Sequence, residues 1–476
     1  MESIRKGQEL EVTVEKLAFG GKAIARVNGF VVFLERALPG QRVTIQIHKK
    51  KSRHAEGRVL EVLSQPSAYV TPFCSHFGFC GGCRWQDLPY EDQLHWKREH
   101  VIECLTHLGG IKGNVVEYAV PSPLTTFYRN KMEFTFSDRR WLLPEEVERK
   151  DIRFRRDFAL GLHVPGTFDK VFNVEECFLE SAQSVEILRE VRRWCAKSPL
   201  APYSIKRQSG FWRFLVVREG KRTGQTLVHL ITSGRDAFED EVNALAEHIL
   251  DRFPGITTFV HSLSLKKAQV ATGDVTRVVT GPGFIEEILG RARFRISAHS
   301  FFQTNPYGAE KLYEAIADFG ELTGRETVWD LYCGTGSIAL FIAPLVRRVV
   351  GFEMVEEAVA DAHANCTLNG IENCTFHAGD IKDLMRKAGD PSYCVYGRTP
   401  DLIIADPPRA GMHPHVVQAI MEIGPKSVIA VSCNPSTLTR DLALLLEKYE
   451  VERILPFDMF PHTPHIECVV KLNRVR

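Results

Sequence analysis

The sequence predicts a multidomain α/β protein. It reads as a small N-terminal OB-like β-barrel over residues 1–66, a central α+β region over 67–290 and a C-terminal doubly wound, Rossmann-like domain over 291–476. Three observations carry this prediction. A chain of 476 residues is too long for one hydrophobic core. Its opening stretch is dense in β-branched residues and glycine turns. Beyond about residue 290 a strand, a glycine turn and a helix follow one another repeatedly.

In the N-terminal stretch, strand-like runs are separated by Gly20-Gly21, Asn28-Gly29 and Pro39-Gly40. Short antiparallel strands at that spacing fit a five-stranded barrel. The run His48 to Lys51, continuing to Arg53 and Arg58, gives one edge a positive face, although a single charge run is usually a solvated loop. From about residue 68 a cysteine-rich loop precedes a helix predicted from Glu91 to about Leu108. The segments YRNKMEFTF and GFWRFLVVREGKR alternate apolar or aromatic residues with basic ones. Sheet alternation explains most of that pattern. Arg129, Lys131 and the basic residues from Arg213 to Arg222 also suit contact with unpaired bases and phosphates.

In the last region TVWDLYCGTGSIALFIA, RRVVGFEMV, CTFHAGD, PDLIIADPPRAG, SVIAVSCNP and HIECVVKLN read as strands, most of them followed by helices. In such a domain ligands lie at the carboxyl ends of the strands. Sixty Lys and Arg balance 59 Asp and Glu, so net charge selects no partner. The start of the chain has no apolar signal-like region, and the longest apolar stretch, SIALFIAPLV, is too short to span a membrane. The expectation is a cytoplasmic protein without membrane contact, in which twelve cysteines serve as metal ligands, catalytic groups or core.

Asp330-Leu-Tyr-Cys-Gly-Thr-Gly-Ser337 follows a strand and opens a helix, and Gly334 and Gly336 are read as letting the backbone pass close to a ligand. Glu353 ends the next strand, where a carboxylate can hold ribose hydroxyls, and Asp380 ends the third. Asp330 would repel a pyrophosphate, which favours a cationic nucleoside cofactor, S-adenosylmethionine. Asp406-Pro-Pro-Arg409 ends the fourth strand. Enzymes that methylate exocyclic amines place an aromatic where Arg409 stands, so amine methylation is disfavoured.

Cys433 sits between a strand and the head of a helix, where the helix N-terminus favours a thiolate. Carbon 5 of uracil is a poor nucleophile until a thiolate adds at carbon 6. The ring then takes an electrophilic methyl group at carbon 5, and a base removes the hydrogen there so that the thiolate is expelled. Glu467, opening the last strand, is the candidate base, with His462 and His465 competing for the role. Cys333 and Cys468 are read as packing residues.

The motifs DLYCGTGSIAL, ADPPRAG, SCNPSTLTRD and FPHTPHIE together resemble the RNA uracil-5-methyltransferases, which form 5-methyluridine in ribosomal and transfer RNA. The resemblance extends over nearly the whole chain. It implies Cys433 as nucleophile and Glu467 as base, and it implies that Gln303, Tyr332, Glu353 and Asp406 contact S-adenosylmethionine, with Asp380 a further contact. Without it, Gln303 in SFFQTN would be read only as a neighbour of a helix cap at Asn305. The barrel is similar to the TRAM domain of the family's ribosomal branch, which implies 23S ribosomal RNA as substrate and a protein acting as a monomer.

Cys74, Cys80 and Cys83 are spaced as C-x5-C-x2-C, and the resemblance implies Cys177 as fourth ligand. Four thiolates suit zinc or a [4Fe-4S] cluster. The wide first gap and the family's habit favour iron-sulfur. Competing readings are a transfer RNA uracil-5-methyltransferase, an RNA cytosine-5-methyltransferase, and an iron-sulfur RNA-binding scaffold without activity.

Overall fold

Alternating apolar residues close the N-terminal strands into a barrel in the computed structural model, which describes residues 4–234, 239–388 and 399–475. Strands β1 (Glu9–Leu17), β2 (Ala23–Val27), β3 (Phe30–Glu35), β4 (Arg42–Lys50) and β5 (His54–Ser64) run in the order β1-β2-β3-β5-β4. Val14, Val32, Leu34, Val43, Ile45 and Ala55 fill the interior. The lumen is so narrow that a Cβ on Gly57 would lie 3.0 Å from Leu34.

Helix α1 (Tyr90–Cys104) begins after Pro89 and carries Glu91 and Asp92 in its first turn, where the helix dipole favours acids. The predicted continuation to Leu108 is not regular α-helix: a π-helical turn spans Leu105–Gly109, and Gly110 at φ 63° ends it. A Cβ on Gly109 would meet the Thr439 side chain at 2.5 Å, so the chain here lies against a later helix. Three polar residues of α1, Gln93, Lys97 and His100, are fully buried. His100 Nε2 bonds the Leu17 carbonyl at 3.0 Å, tying helix to barrel. Lys97 forms an ion pair with Asp458 in which neither side chain is exposed, and Lys97 also donates to the Phe460 carbonyl at 3.2 Å.

The central sheet contains β6 (Lys131–Ser137), β7 (Arg140–Trp141), β8 (Ala159–His163), β9 (Val171–Asn173), β10 (Trp212–Glu219), β11 (Thr226–Thr232), β12 (Ile256–Leu263) and β13 (Val275–Thr280), in the order β13-β12-β11-β10-β6-β8-β9-β7. A short α2 (Pro144–Glu148) interrupts it, and α3 (Ala182–Cys195) and α4 (Glu239–Arg252) cover one face through Ile187, Leu188, Leu245 and Ile249. A hairpin of β14 (Phe284–Leu289) and β15 (Ala292–Ser297) leads on to α5 (Pro306–Phe319), whose N-cap is Asn305.

The last sheet contains β16 (Thr327–Leu331), β17 (Arg348–Glu353), β18 (Cys374–Ala378), β19 (Leu402–Ala405), β20 (Ser427–Ser432), β21 (Tyr449–Phe457) and β22 (Glu467–Arg474). Helices α6 (Ser337–Ile342), α7 (Glu356–Asn369), α8 (Ile381–Ala388), α9 (Pro414–Ile423) and α10 (Pro435–Leu445) intervene. Strand order is β18-β17-β16-β19-β20-β22-β21, and β22 runs antiparallel to both neighbours. The order reverses between β16 and β19, the switch point at which open α/β sheets bind ligands. Because β22 is antiparallel, its first residue lies beside the carboxyl end of β20, with Ser432 paired to Cys468. Among the described residues no helix is long and apolar enough to cross a membrane.

Removing one member of the Lys97–Asp458 pair leaves the other charge buried alone, which typically costs about 3–5 kcal/mol. Lys97→Ala should therefore lower stability by that order in urea titrations. A double replacement by apolar residues of similar size should recover most of the loss.

Candidate active site

At the β16–α6 turn the chain is held in left-handed conformations at Tyr332 (φ 64°), Gly334 (φ 54°) and Gly336 (φ 79°). The two glycines do different work. A Cβ on Gly334 would meet no atom within 4 Å, so open space lies over this turn. A Cβ on Gly336 would strike Leu340 at 2.9 Å and Phe376 at 3.0 Å, so that glycine serves packing of α6 and not ligand approach. The Glu353 carboxylate accepts from the amides of Gly334, Met354 and Val355 at 3.0, 2.8 and 2.9 Å, which fixes it at the end of β17 beside the open turn. Asp380 is exposed and pairs with Lys382 at 3.0 Å. Tyr332 is half-buried, and its phenol is pushed up to about 12 by burial.

Asp330, Asp406 and Glu467 form a group of carboxylates at the switch point. Asp330 is wholly buried, and burial together with Asp406 and Glu353 holds its carboxyl well above the usual range, with the Ala339 amide opposing. Burial raises Asp406 to about 6. Burial, then Asp406, raises Glu467 well above its ordinary value, with Arg409 opposing. Carboxyls raised in this way are the ones whose ionised forms a nearby cation would favour most.

Cys433 lies half-buried between β20 and α10, and the α10 N-cap is Asn434, which accepts from the Ser436 amide at 3.1 Å. The antiparallel β22 brings Glu467 next to it, close enough for the carboxylate to act on the thiol. The expectation of a lowered thiol pKa fails in this structure. Burial first, then the Glu467 and Asp406 carboxylates, push it up, and these outweigh the helix terminus. Arg409 opposes them through its charge and a hydrogen bond to the thiol. The same guanidinium bonds His465 Nδ1 at 3.1 Å. His465 is pulled down to about 4 by desolvation and by Arg409, which makes it a weak proton acceptor. The other competing histidine, His462, is buried with φ 65°, and its Nδ1 and backbone amide bond the two ends of the Gln93 side chain at 3.2 and 2.8 Å.

Gln303 precedes α5, and its carbonyl accepts from the Asn130 side chain at 3.1 Å. Asn305 caps α5 through Gly308 and donates to the Met459 carbonyl at 3.0 Å, so the segment is pinned to the loop ahead of Glu467. Sequence reasoning missed Tyr313, a buried residue of α5 that bonds Ser337 Oγ at 2.9 Å and senses Asp406, Asp330 and Glu467. Only its helical register marks it as inward-facing. It also missed the Arg409–His465 contact, for which the sequence carries no signal.

The loop of Cys74, Cys80 and Cys83 folds against residues 176–178. Ser75 N–H bonds Glu176 Oε1 at 2.6 Å, His76 Nδ1 donates to the Glu176 carbonyl at 3.1 Å, and the Phe73 and Phe178 rings meet edge to face at 5.1 Å. This brings Cys177 to the other three. Cys80 senses Cys74, Cys83 senses both, and Cys177 senses Cys83. Burial pushes Cys80 up to about 11 and Cys83 up to about 12. Among the described residues no group of three or more His, Cys, Asp or Glu side chains is set to hold a metal ion as the side chains stand. The loop packs on the segment ahead of Glu467: Arg84 and Trp85 amides donate to the His462 carbonyl at 2.8 and 3.1 Å, and Phe73 meets the His462 ring at 5.1 Å.

The basic runs divide. Lys50, Lys51 and Arg53 on the barrel edge are exposed, whereas Lys49 pairs with Glu56 at 2.9 Å. Arg213 and Arg218, read from sequence as RNA contacts, are buried instead. Arg213 donates to the carbonyls of Ser264, Lys266 and Ala268, and Arg218 to those of Ala298 and Ser300. Lys221 pairs with Glu219 and Arg222 with Glu310. These side chains hold loops in place. Arg129 lies half-buried over the Phe460 ring at 5.6 Å, between the cysteine loop and the carboxylate group.

Residues 258–475 match the family model described as tRNA (Uracil-5-)-methyltransferase, and residues 5–60 match the TRAM domain. A protein of Porphyromonas gingivalis named as an uncharacterized RNA methyltransferase is 41% identical over 98% of this chain and 99% of its own length. Another of that name from Bacteroides thetaiotaomicron is 40% identical over 96% of this chain and 100% of its own. Among solved structures, a Pyrococcus abyssi tRNA (uracil-54, C5)-methyltransferase in complex with S-adenosyl-L-homocysteine is similar with a TM-score of 0.74 and 26% identity, over 97% of this chain and 100% of that one.

The raised Cys433 thiol gives a pH prediction. Ionisation favours the nucleophile, so the rate of alkylation at this residue by iodoacetamide should rise through a midpoint above that of a free cysteine, about 8.5. Arg409→Gln removes the group that lowers it, and the midpoint measured by peptide mass spectrometry should move higher still.

Proposed function

The chain belongs to the RNA uracil-5-methyltransferase family and carries a TRAM domain, and from that premise we propose that it methylates carbon 5 of a uridine through Cys433 and Glu467. The observation that carries this reading is their juxtaposition: β22 enters antiparallel beside β20 and sets a buried carboxylate against the thiol.

S-adenosylmethionine supplies an electrophilic methyl group when bound. Gln303, Tyr332, Glu353, Asp380 and Asp406 are the residues proposed to hold it, supported by the open turn at Gly334 and the amide-fixed Glu353. The carboxyls of Asp330 and Asp406, raised by burial, would be drawn into their ionised forms by a sulfonium. Cys433 Sγ bonds carbon 6 of the uracil, and the electrons of the carbon 5–carbon 6 double bond move onto carbon 5 and the adjoining carbonyl oxygen. Carbon 5 then takes the methyl group. Glu467 removes the proton on carbon 5, the double bond re-forms, and Cys433 leaves as thiolate. Burial makes Glu467 a stronger base than a solvated carboxylate once it is ionised. Arg409, touching the thiol and opposing the carboxylates, favours the thiolate.

The four cysteines Cys74, Cys80, Cys83 and Cys177 are proposed as ligands of a [4Fe-4S] cluster. Their mutual electrostatic contact and the amide of Gly82 donating to Cys80 Sγ at 3.3 Å support that assignment. The proposed substrate is 23S ribosomal RNA, on the strength of barrel and cysteines occurring together, with the protein acting as a cytoplasmic monomer. Transfer RNA is the second reading, favoured by the near-complete overlap with the Pyrococcus abyssi structure.

Incubation with 5-fluorouridine RNA and S-adenosylmethionine should trap a covalent adduct resolved on denaturing gels, because fluorine cannot be removed as a proton. Cys433→Ala should form none and lose methylation. Glu467→Gln should slow turnover by about 10²–10⁴-fold and accumulate adduct on ordinary RNA. Mass spectrometry of ribosomal and transfer RNA from a strain lacking the gene decides the substrate: 5-methyluridine missing from transfer RNA alone would defeat the ribosomal assignment. Anaerobically purified protein should contain about four irons per chain, and Cys83→Ser should lose them along with the brown absorbance.

A further inference from the structure

The face of the central sheet not covered by α3 and α4 carries polar groups that the methyl-transfer reading does not use. His229, fully buried on β11, bonds Ser262 Oγ through Nε2 at 2.8 Å, and its Nδ1 has no partner. His299, exposed just after β15, stands edge to face with it at 5.0 Å and bonds Thr276 Oγ1 at 2.8 Å. On the adjacent strand β10, Arg213 and Arg218 are 2% and 4% exposed, Arg218 acting on both histidines, and their hydrogen-bond acceptors are backbone carbonyls and the Ser264 hydroxyl. Each keeps an Nε with no partner. The Tyr203 ring 4.4 Å from Arg213 and the carboxylates of Asp274 and Glu133 offset only part of this charge, so the face stays positive.

Lys131 and Lys266 add two more cations that act on His299. The carboxylates acting on the four cations are Glu133, paired with Lys131, and Asp274, 3.7 Å from Lys266. Positive charge therefore exceeds negative here among the described residues. Both histidines are pulled down, His229 by burial and then His299 and Arg218, and His299 by burial and then Arg218, Lys131 and Lys266.

We propose that this face, at His299, Thr276, Lys131 and Lys266, with the buried His229 behind His299, is a binding subsite for a phosphodiester group of the substrate RNA. The inference rests on the reading of the chain as an RNA methyltransferase. Continuity with the site selects a polynucleotide over a free phosphate. Arg218 grips the carbonyls of Ala298 and Ser300, and the same strap runs on through Phe301, 72% exposed, to Gln303. An unpaired ring beside an anion site suits a base next to its phosphate.

The test is fluorescence anisotropy of labelled oligouridine RNA with the full-length protein across a potassium chloride series. Lys266→Ala/His299→Ala should bind several-fold more weakly at low salt and show a salt slope shallower by about 0.7, the loss of one single-strand phosphate contact. Lys426→Ala, at the opposite end of the last sheet, should match the parent. Inorganic phosphate at equal ionic strength should displace RNA from the parent more than chloride does, and should lose that advantage in the double variant. Both replaced side chains are exposed, and unchanged thermal melts would show that the fold persists. Coincident salt slopes for parent and double variant overturn the subsite, as does a phosphate effect that survives the substitutions. The 5-fluorouridine adduct assay runs in parallel on the parent: no adduct defeats the enzymatic reading itself, whereas a normal adduct with coincident slopes defeats the subsite alone.

Discussion

A lysine and an aspartate withdrawn entirely from water are the constraint on which the site depends. Lys97 comes from the helix behind the barrel and Asp458 from the segment between β21 and β22. Neither charge tolerates burial without the other, so the helix and that segment are obliged to meet. Asp458 also accepts from the Phe460 amide, and Gln93, one turn before Lys97, receives His462. The segment from 458 to 466 is thus held at several points by fixed polar partners on its way to Glu467. The carboxylate inherits its position from groups that never touch a substrate.

Around Cys433 the electrostatics oppose ionisation. Burial, Glu467 and Asp406 raise the thiol, Asp406 also raises Glu467, and an exposed guanidinium, Arg409, works against them. A positive charge brought beside such carboxyls favours their ionised forms, whereas burial without one keeps them protonated.

Much of this was legible in the sequence. Glycine turns between β-branched runs marked the barrel, and motifs at successive strand ends marked the doubly wound sheet, because local turn chemistry and strand composition are written in adjacent residues. Cys433 and Glu467 were singled out by what uracil chemistry needs, and strand pairing brings the two side by side. Charge balance at those residues was not legible: the thiol pKa depends on Asp406 and Glu467, brought close only by strand pairing. Arg213 and Arg218 misled for a related reason. Alternation with apolar neighbours is the same whether a basic side chain reaches solvent or a loop carbonyl, and only tertiary contacts distinguish the two. Lys97 on α1 gave no sign of burial, since a lysine in an amphipathic helix is ordinarily solvated.

The Gln93–His462 and Lys97–Asp458 contacts join residues 369 and 361 positions apart. Loop-closure entropy grows only slowly with separation, so such contacts cost little stability, but they retard folding because most of the chain has to be ordered before they form. The barrel, whose strands are neighbours in sequence, has no such delay. A newly made molecule should therefore pass through a stage in which its N-terminal module is complete while its catalytic centre has yet to assemble.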